Sequence, residues 1–496
     1  MRPMLGVFAV LTVVLTSSLS AERATRPLCV HPKNSRYFTD GSGGAVFLTG
    51  SHTWANFQER GIKGQTPDFD YERYLDFLQK HGHNFMRMWR WEHARWMQFV
   101  PSGTPIRYEP MAYERTGPGK AIDGKPRFDL TRFNQAYFDR LRRRVKAAGE
   151  RGIYVSVMLF QGFSVEQKGT KGVDPQKGNP WDGHPYNAKN NINGVDGDLN
   201  GDGEGIETHT LKQPRIARLQ EAYVRKVIDT LNDLDNLLWE ISNESHTDSI
   251  EWHYHLIRFI KDYEAAKPQQ HPVGMTSSPI SNPPLFASPA DWISPNGRAY
   301  LNDPPDAGGK KVIIVDNDHI APWDSNPEWI WKNLTRGNQF ILMDHYRDFR
   351  VGSPSGPDSK HNPARKAMGL ARSLADRVDL ASLVPQADLC STKYCMADPG
   401  RQYLIYRPNT EREKISVDLE AGQYALKWIS TSDGQCKQAA EIRAHAGRNH
   451  LTSAFVGPAV LLLLNLHAEC RVRVAEAADV RQAQACKLHW IRKEKQ

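Results

Sequence analysis

The sequence predicts an α/β protein: a (β/α)8 barrel followed by a small antiparallel β-sandwich. Three observations carry this. Strand-length apolar runs interleave with helical spacing between about residues 45 and 380, giving eight strand candidates. Near residue 385 the helices stop and short strands with turns take over. Polar motifs follow directly on several apolar runs, at the strand ends where a parallel barrel gathers its chemistry.

Taken in order, 45–49 is an apolar run that leads into Gly50-Ser51-His52-Thr53-Trp54. Helical spacing over 69–81 aligns Tyr71, Tyr74, Leu75 and Leu78 and stops at Gly82. Residues 84–91 read as a strand, 130–150 as a helix and 153–160 as a strand. A polar Gly/Asn/Asp-rich insertion fills 163–213. Helices at 216–234, 249–266, 329–336 and 363–378 then alternate with strands at 237–241, 273–276, 291–294, 312–315 and 340–343. Strands at 403–406, 415–419, 424–429 and 460–464 make the second module, placed at 385–470, with a basic tail over 471–496.

The N-terminus reads as a secretory signal peptide over 1–21: a short basic start, an apolar run at 4–15, then small residues. That run is too short to span a membrane. A secreted or periplasmic protein without a membrane span is expected, with the barrel occupying 22–384. The net charge of +8 over 496 residues is mild and does not suggest a nucleic-acid partner. Six cysteines suit an oxidising compartment; proximity suggests Cys390 with Cys395 and Cys470 with Cys486. No phosphate-binding glycine loop follows a strand, and no G-x-S-x-G elbow is present.

Four constellations carry chemistry. The fourth strand runs Leu237-Leu238-Trp239-Glu240-Ile241 straight into Ser242-Asn243-Glu244. A carboxylic acid there can protonate a leaving oxygen, and the adjacent amide can hold a hydroxyl. The seventh strand ends Val315-Asp316-Asn317-Asp318-His319. Period-2 alternation puts Asp316 and Asp318 on one face, with Asp318 nearer the mouth. His52, Trp54, Arg87, Trp89 and Asp344 lie at other strand ends as candidate binding residues. Finally, Asp196, Asp198, Asn200, Asp202, Glu204 and Glu207 lie in a stretch that matches the D-x-D-x-N-G-x5-E calcium loop, so a structural Ca2+ is expected. No cofactor is expected for catalysis.

The Asn243-Glu244 ending resembles the acid/base position of retaining clan A glycoside hydrolases. More broadly, the chain is similar to the secreted apiosidase-like barrels that carry a C-terminal collagen-binding-like β-module. His31-Pro32, Tyr37 to Gly43, Leu48 to Trp54, Trp239 to His246, Val312 to His319 and Cys395 to Gly400 carry that similarity. It implies hydrolysis of an oligo- or polysaccharide, with Glu244 as acid then base and Asn243, His319 and the strand-end residues around the sugar. Such families place a nucleophilic Glu at the seventh strand, and this chain has none there. Asp318, or else Asp316, takes that position. The same departure leaves open a barrel that holds glycan without cleaving it, or a matrix-adhesion role through the β-module.

Overall fold

The computed structural model describes residues 26–61, 69–96, 106–166, 179–276, 280–297, 300, 302–304, 306–320, 326–344, 346, 357–408 and 414–468. The segment 1–21 read as a signal peptide, the tail over 471–496, Cys470 and Cys486 lie outside these residues.

Eight parallel strands close a barrel: β1 Thr49–His52, β2 Phe85–Met88, β3 Tyr154–Gln161, β4 Leu237–Asn243, β5 Val273–Thr276, β6 Trp292–Ser294, β7 Val312–Asp316 and β8 Gln339–Met343. They pair in sequence order, and β8 returns to β1 with Leu342 opposite Ser51 and Met343 opposite His52. Helices α1 Tyr71–Lys80, α2 Gln135–Gly149, α3 Pro214–Leu231, α4 Ile250–Ala265, α5 Asn282–Ala287, α6 Pro327–Thr335 and α7 Asn362–Ala375 fill the connections. Among the described residues the β6–β7 connection has no α-helix. This is a (β/α)8 barrel, as the alternation predicts.

The strand interiors explain where the site sits. Phe85, Tyr154, Leu238 and Ile314 share one apolar cluster inside the barrel. Two residues further along each strand, Arg87, Ser156, Glu240 and Asp316 form a polar network on the same side. The period of 2 thus converts an apolar plug into a charged floor one step closer to the mouth.

The helix expected over 130–150 begins only at Gln135. The preceding Pro126–Phe133 is a strand, paired antiparallel with Tyr113–Lys120. Its alternation of apolar and polar residues was masked by the strong helical face that follows. Arg144 of that helix is buried and donates to the carbonyls of Asn56 and Phe57 at 2.7 and 2.9 Å.

Residues 382–468 belong to a second compact unit. Strands Cys395–Asp398, Gln402–Arg407, Ala459–Asn465, Gly422–Ser430 and Cys436–Ala444 form one antiparallel sheet. Lys414–Leu419 pairs with Gly447–Thr452 in another. Tyr403, Ile405, Trp428, Leu461, Val417 and Leu451 bury a common core between them. The pairing expected between Cys390 and Cys395 is not present: both are buried free thiols in that core, and Cys390 Sγ instead contacts Thr392 Oγ1 at 3.4 Å.

Candidate active site

Arg87 organises the floor. Its Nε donates to Glu240 at 2.9 Å, and its Nη2 donates to both Glu240 and, at 2.9 Å, Asn243 Oδ1. Nη1 donates to Asp316 at 2.5 Å. Glu240 also accepts from Ser156 at 2.9 Å and Thr276 at 3.2 Å. Asp316 is held from the other side by His52 Nε2 at 3.0 Å. Trp89 stacks on His52 with centroids 5.0 Å apart, and the Arg87 guanidinium lies 5.2 Å from the Trp89 ring. A buried cation between two buried carboxylates is costly to assemble and very costly to break.

The rim is built differently. Strand β7 ends at Asp316, and Asn317–His319 forms a 3-10 turn. Asp316 and Asp318 therefore do not share the strand face on which the alternation places them. Asp316 Oδ1 accepts the Asp318 backbone N–H at 3.0 Å, because a carboxylate at the turn's N-cap satisfies an otherwise orphaned donor. That turn swings Asp318 toward β4. Glu244, Asp318 and His319 each bring one ligand atom within 4.8 Å of the other two.

Glu244 follows β4 in the left-handed region, with φ of 47°. A side chain there costs roughly 1–2 kcal/mol. Gly162, after β3, makes room for that turn: a Cβ at Gly162 would sit 2.1 Å from the Glu244 carbonyl oxygen.

The charges separate two carboxyls only two residues apart. Burial opposes ionisation of Asp316, but His52 and Arg87 outweigh it and hold this carboxyl well below the usual range. Burial, then the charges of Asp316 and Glu244, push Asp318 well above that range. Burial also favours neutral His319. Arg87 stays protonated because Glu240 and Asp316 outweigh its own desolvation.

Residues 79–279 match a family model described as a domain of unknown function (DUF6298). No curated protein matches the chain. A solved glycoside hydrolase superposes with a TM-score of 0.56 at 14% identity, over 89% of this chain and 97% of that one. A family 5 glycoside hydrolase from Bacteroides vulgatus ATCC 8482 superposes with a TM-score of 0.55 at 13% identity, over 88% and 93%. The chain shares the barrel fold of these two glycoside hydrolases.

Within that fold the residues singled out from sequence fall into three groups. Arg87, Asn243, His52, Trp89, Asp316, His319, Glu244 and Asp318 converge on one network. Trp54 is adjacent, with its ring 6.1 Å from that of Trp89. Asp344 is a correction: its carboxylate is clamped by Arg365 of α7 at 2.5 and 2.7 Å, so it faces the helix layer as a buried ion pair. The His52 Nδ1 and Trp89 Nε1 atoms are buried with no hydrogen-bond partner among the described residues.

The 196–207 loop supplies only oxygen donors, which suits a hard cation. Its carboxylates cap their own backbone. Asp198 accepts from Gly201 and Gly203 at 2.7 and 2.9 Å, Asp196 from Asp198 at 3.2 Å, and Asp202 from Glu204 at 2.8 Å. Asn200 donates to Asp202, and Glu207 is buried on the turn that follows.

Sequence reasoning missed Glu240 and Gln161. Gln161 accepts from Asn243 Nδ2 at 3.1 Å and fixes its amide. Glu92 is buried against His209 at 3.1 Å and His184 at 3.5 Å, which ties the 179–213 insertion to the barrel. Glu240 had a signal: a lone charge inside an apolar strand must have a buried partner.

Proposed function

We propose that this protein is a secreted glycoside hydrolase whose working carboxyls are Glu244 and Asp318. The observation that carries this reading is their approach within 4.8 Å, beside His319, above the Arg87 floor. Retaining enzymes hold their carboxyls about 5–5.5 Å apart and inverting ones about 6.5–9.5 Å, so the short approach favours retention. Burial, then the charges of Asp316 and Glu244, raise the proton affinity of Asp318, and the two-carboxyl cycle needs one proton on the pair. Glu244 donates that proton to the leaving oxygen as the glycosidic bond breaks. Asp318 attacks the anomeric carbon, and water activated by Glu244 later frees the sugar. Asp316 stays ionised as an electrostatic anchor, Asn243 is held rigid by Arg87 and Gln161, and the free His52 Nδ1 and Trp89 Nε1 meet sugar hydroxyls. The substrate class follows from the apiosidase-like resemblance: side chains or backbones of plant or microbial polysaccharides. The apolar run at 4–15 supports export.

One observation favours a second reading of the roles. Asp318 is the carboxyl with raised proton affinity, so it holds the shared proton at rest. In that reading Asp318 donates and Glu244 attacks. Azide separates the two: it restores turnover of activated aryl glycosides to the Gly variant of the nucleophile, as the glycosyl azide of inverted configuration.

The test of function is a panel of aryl glycosides and pectic oligosaccharides. Turnover that falls by roughly 10²–10⁴ in Glu244→Gln supports the enzyme. Binding without turnover across the panel supports a glycan-binding barrel, and capture of collagen by the full chain without sugar binding supports adhesion.

A further inference from the structure

The amide of Asn243 cannot be turned over. Arg87 is a donor only, so the Asn243 atom 2.9 Å from its Nη2 is the oxygen. His319 Nε2 lies 3.0 Å from that same oxygen. Nε2 therefore carries the proton, and the lone pair of the neutral ring is on Nδ1. His319 is only 8% exposed, and its Nδ1 has no hydrogen-bond partner among the described residues. Among those residues, Glu244, Asp318 and His319 are the one group of three His, Cys, Asp or Glu side chains whose ligand atoms lie within 4.8 Å of one another.

We propose that Glu244, Asp318 and His319 Nδ1 bind a divalent transition-series cation at the barrel mouth, and that this cation inhibits by displacing the sugar. Two carboxylates and one imidazole suit zinc better than calcium or magnesium, which prefer oxygen alone. Three protein ligands leave a position open to water. The Nε2–H bond to an amide oxygen is the outer support that metal-bound histidines usually have. The inference rests on the proposed site, because the cation takes both working carboxyls.

Zinc titrated into the metal-free full chain, followed by calorimetry, tests it. One site per chain is expected, weakened about tenfold or more in His319→Gln and in Asp318→Asn. The exposed His450→Gln serves as a control and leaves binding unchanged. A thermal melt confirms that each variant folds. Zinc should raise KM for a turned-over glycoside and leave kcat unchanged. Zinc that binds equally to His319→Gln and Asp318→Asn, or not at all, overturns the proposal. The two readings fail separately. Site-dependent zinc binding without any turnover sinks the hydrolase and keeps the cation site; turnover that zinc does not touch does the reverse.

Discussion

Asp316 and Asp318 are separated by one residue and live in opposite electrical worlds. Asp316 belongs to the floor, where Arg87 and His52 meet it and its proton is driven off. Asp318 belongs to the rim, where burial and two like charges raise its proton affinity. A strand end and one 3-10 turn make the difference. The floor invests in paired charge and gains rigidity, while the rim brings like carboxyls together in the position where a reaction would use them.

The largest expected effect comes from breaking the floor. Arg87→Ala leaves Glu240 and Asp316 buried without their cation and should cost about 3–5 kcal/mol in denaturant unfolding, with loss of turnover. An effect below 1 kcal/mol would mean that the floor is not a paired network. Gly162→Ala comes next. Its new Cβ meets the Glu244 backbone, so about 1–3 kcal/mol and most activity should be lost together. Unchanged kinetics would show that the Glu244 turn does not depend on this contact.

The rim should behave in the opposite sense. Each unit by which the Asp318 pKa is raised costs roughly 1.4 kcal/mol at neutral pH. Asp318→Asn should therefore raise Tm by a few degrees while abolishing turnover, and a lower Tm would contradict the rim assignment. The pH dependence has the same logic. The raised Asp318 favours the fold below the ordinary aspartate range and loses that contribution as pH rises through its folded pKa. The depressed Asp316 contributes above the ordinary range and loses it as pH falls through its folded pKa. Turnover needs one proton on the Glu244–Asp318 pair, so kcat/KM should fall as pH rises through the raised value, and a flat alkaline limb would speak against a shared proton. The smallest effect is expected at the 196–207 loop, where calcium is proposed from donor chemistry. Adding Ca2+ to chelator-treated protein should raise Tm by a few degrees at saturation; an identical melt leaves a self-capped turn.

Much of this was legible in the sequence. Strand 273–276 coincides with β5, and the Asn243-Glu244 motif does close β4. These signals are local, since an apolar run followed by polar residues reads directly as a strand end. What stayed hidden was non-local. Asp344 looked like its neighbours at other strand ends, and only Arg365, twenty-one residues on, turns it outward. Asp318 was placed by strand alternation, whereas Asp316 capped a turn and ended the strand. Glu240 lay inside an apolar run, and its partners Arg87, Ser156 and Thr276 come from three other strands.

The central claim is that Glu244 and Asp318 work as a pair on one sugar. A slow 2-deoxy-2-fluoro glycoside of the sugar the enzyme accepts, followed by mass spectrometry of the digested protein, tests it most directly. A covalent sugar on the peptide that carries Asp318, absent in Asp318→Asn, is the predicted result. Turnover of the parent glycoside with the adduct on a peptide containing neither Asp318 nor Glu244 would contradict it.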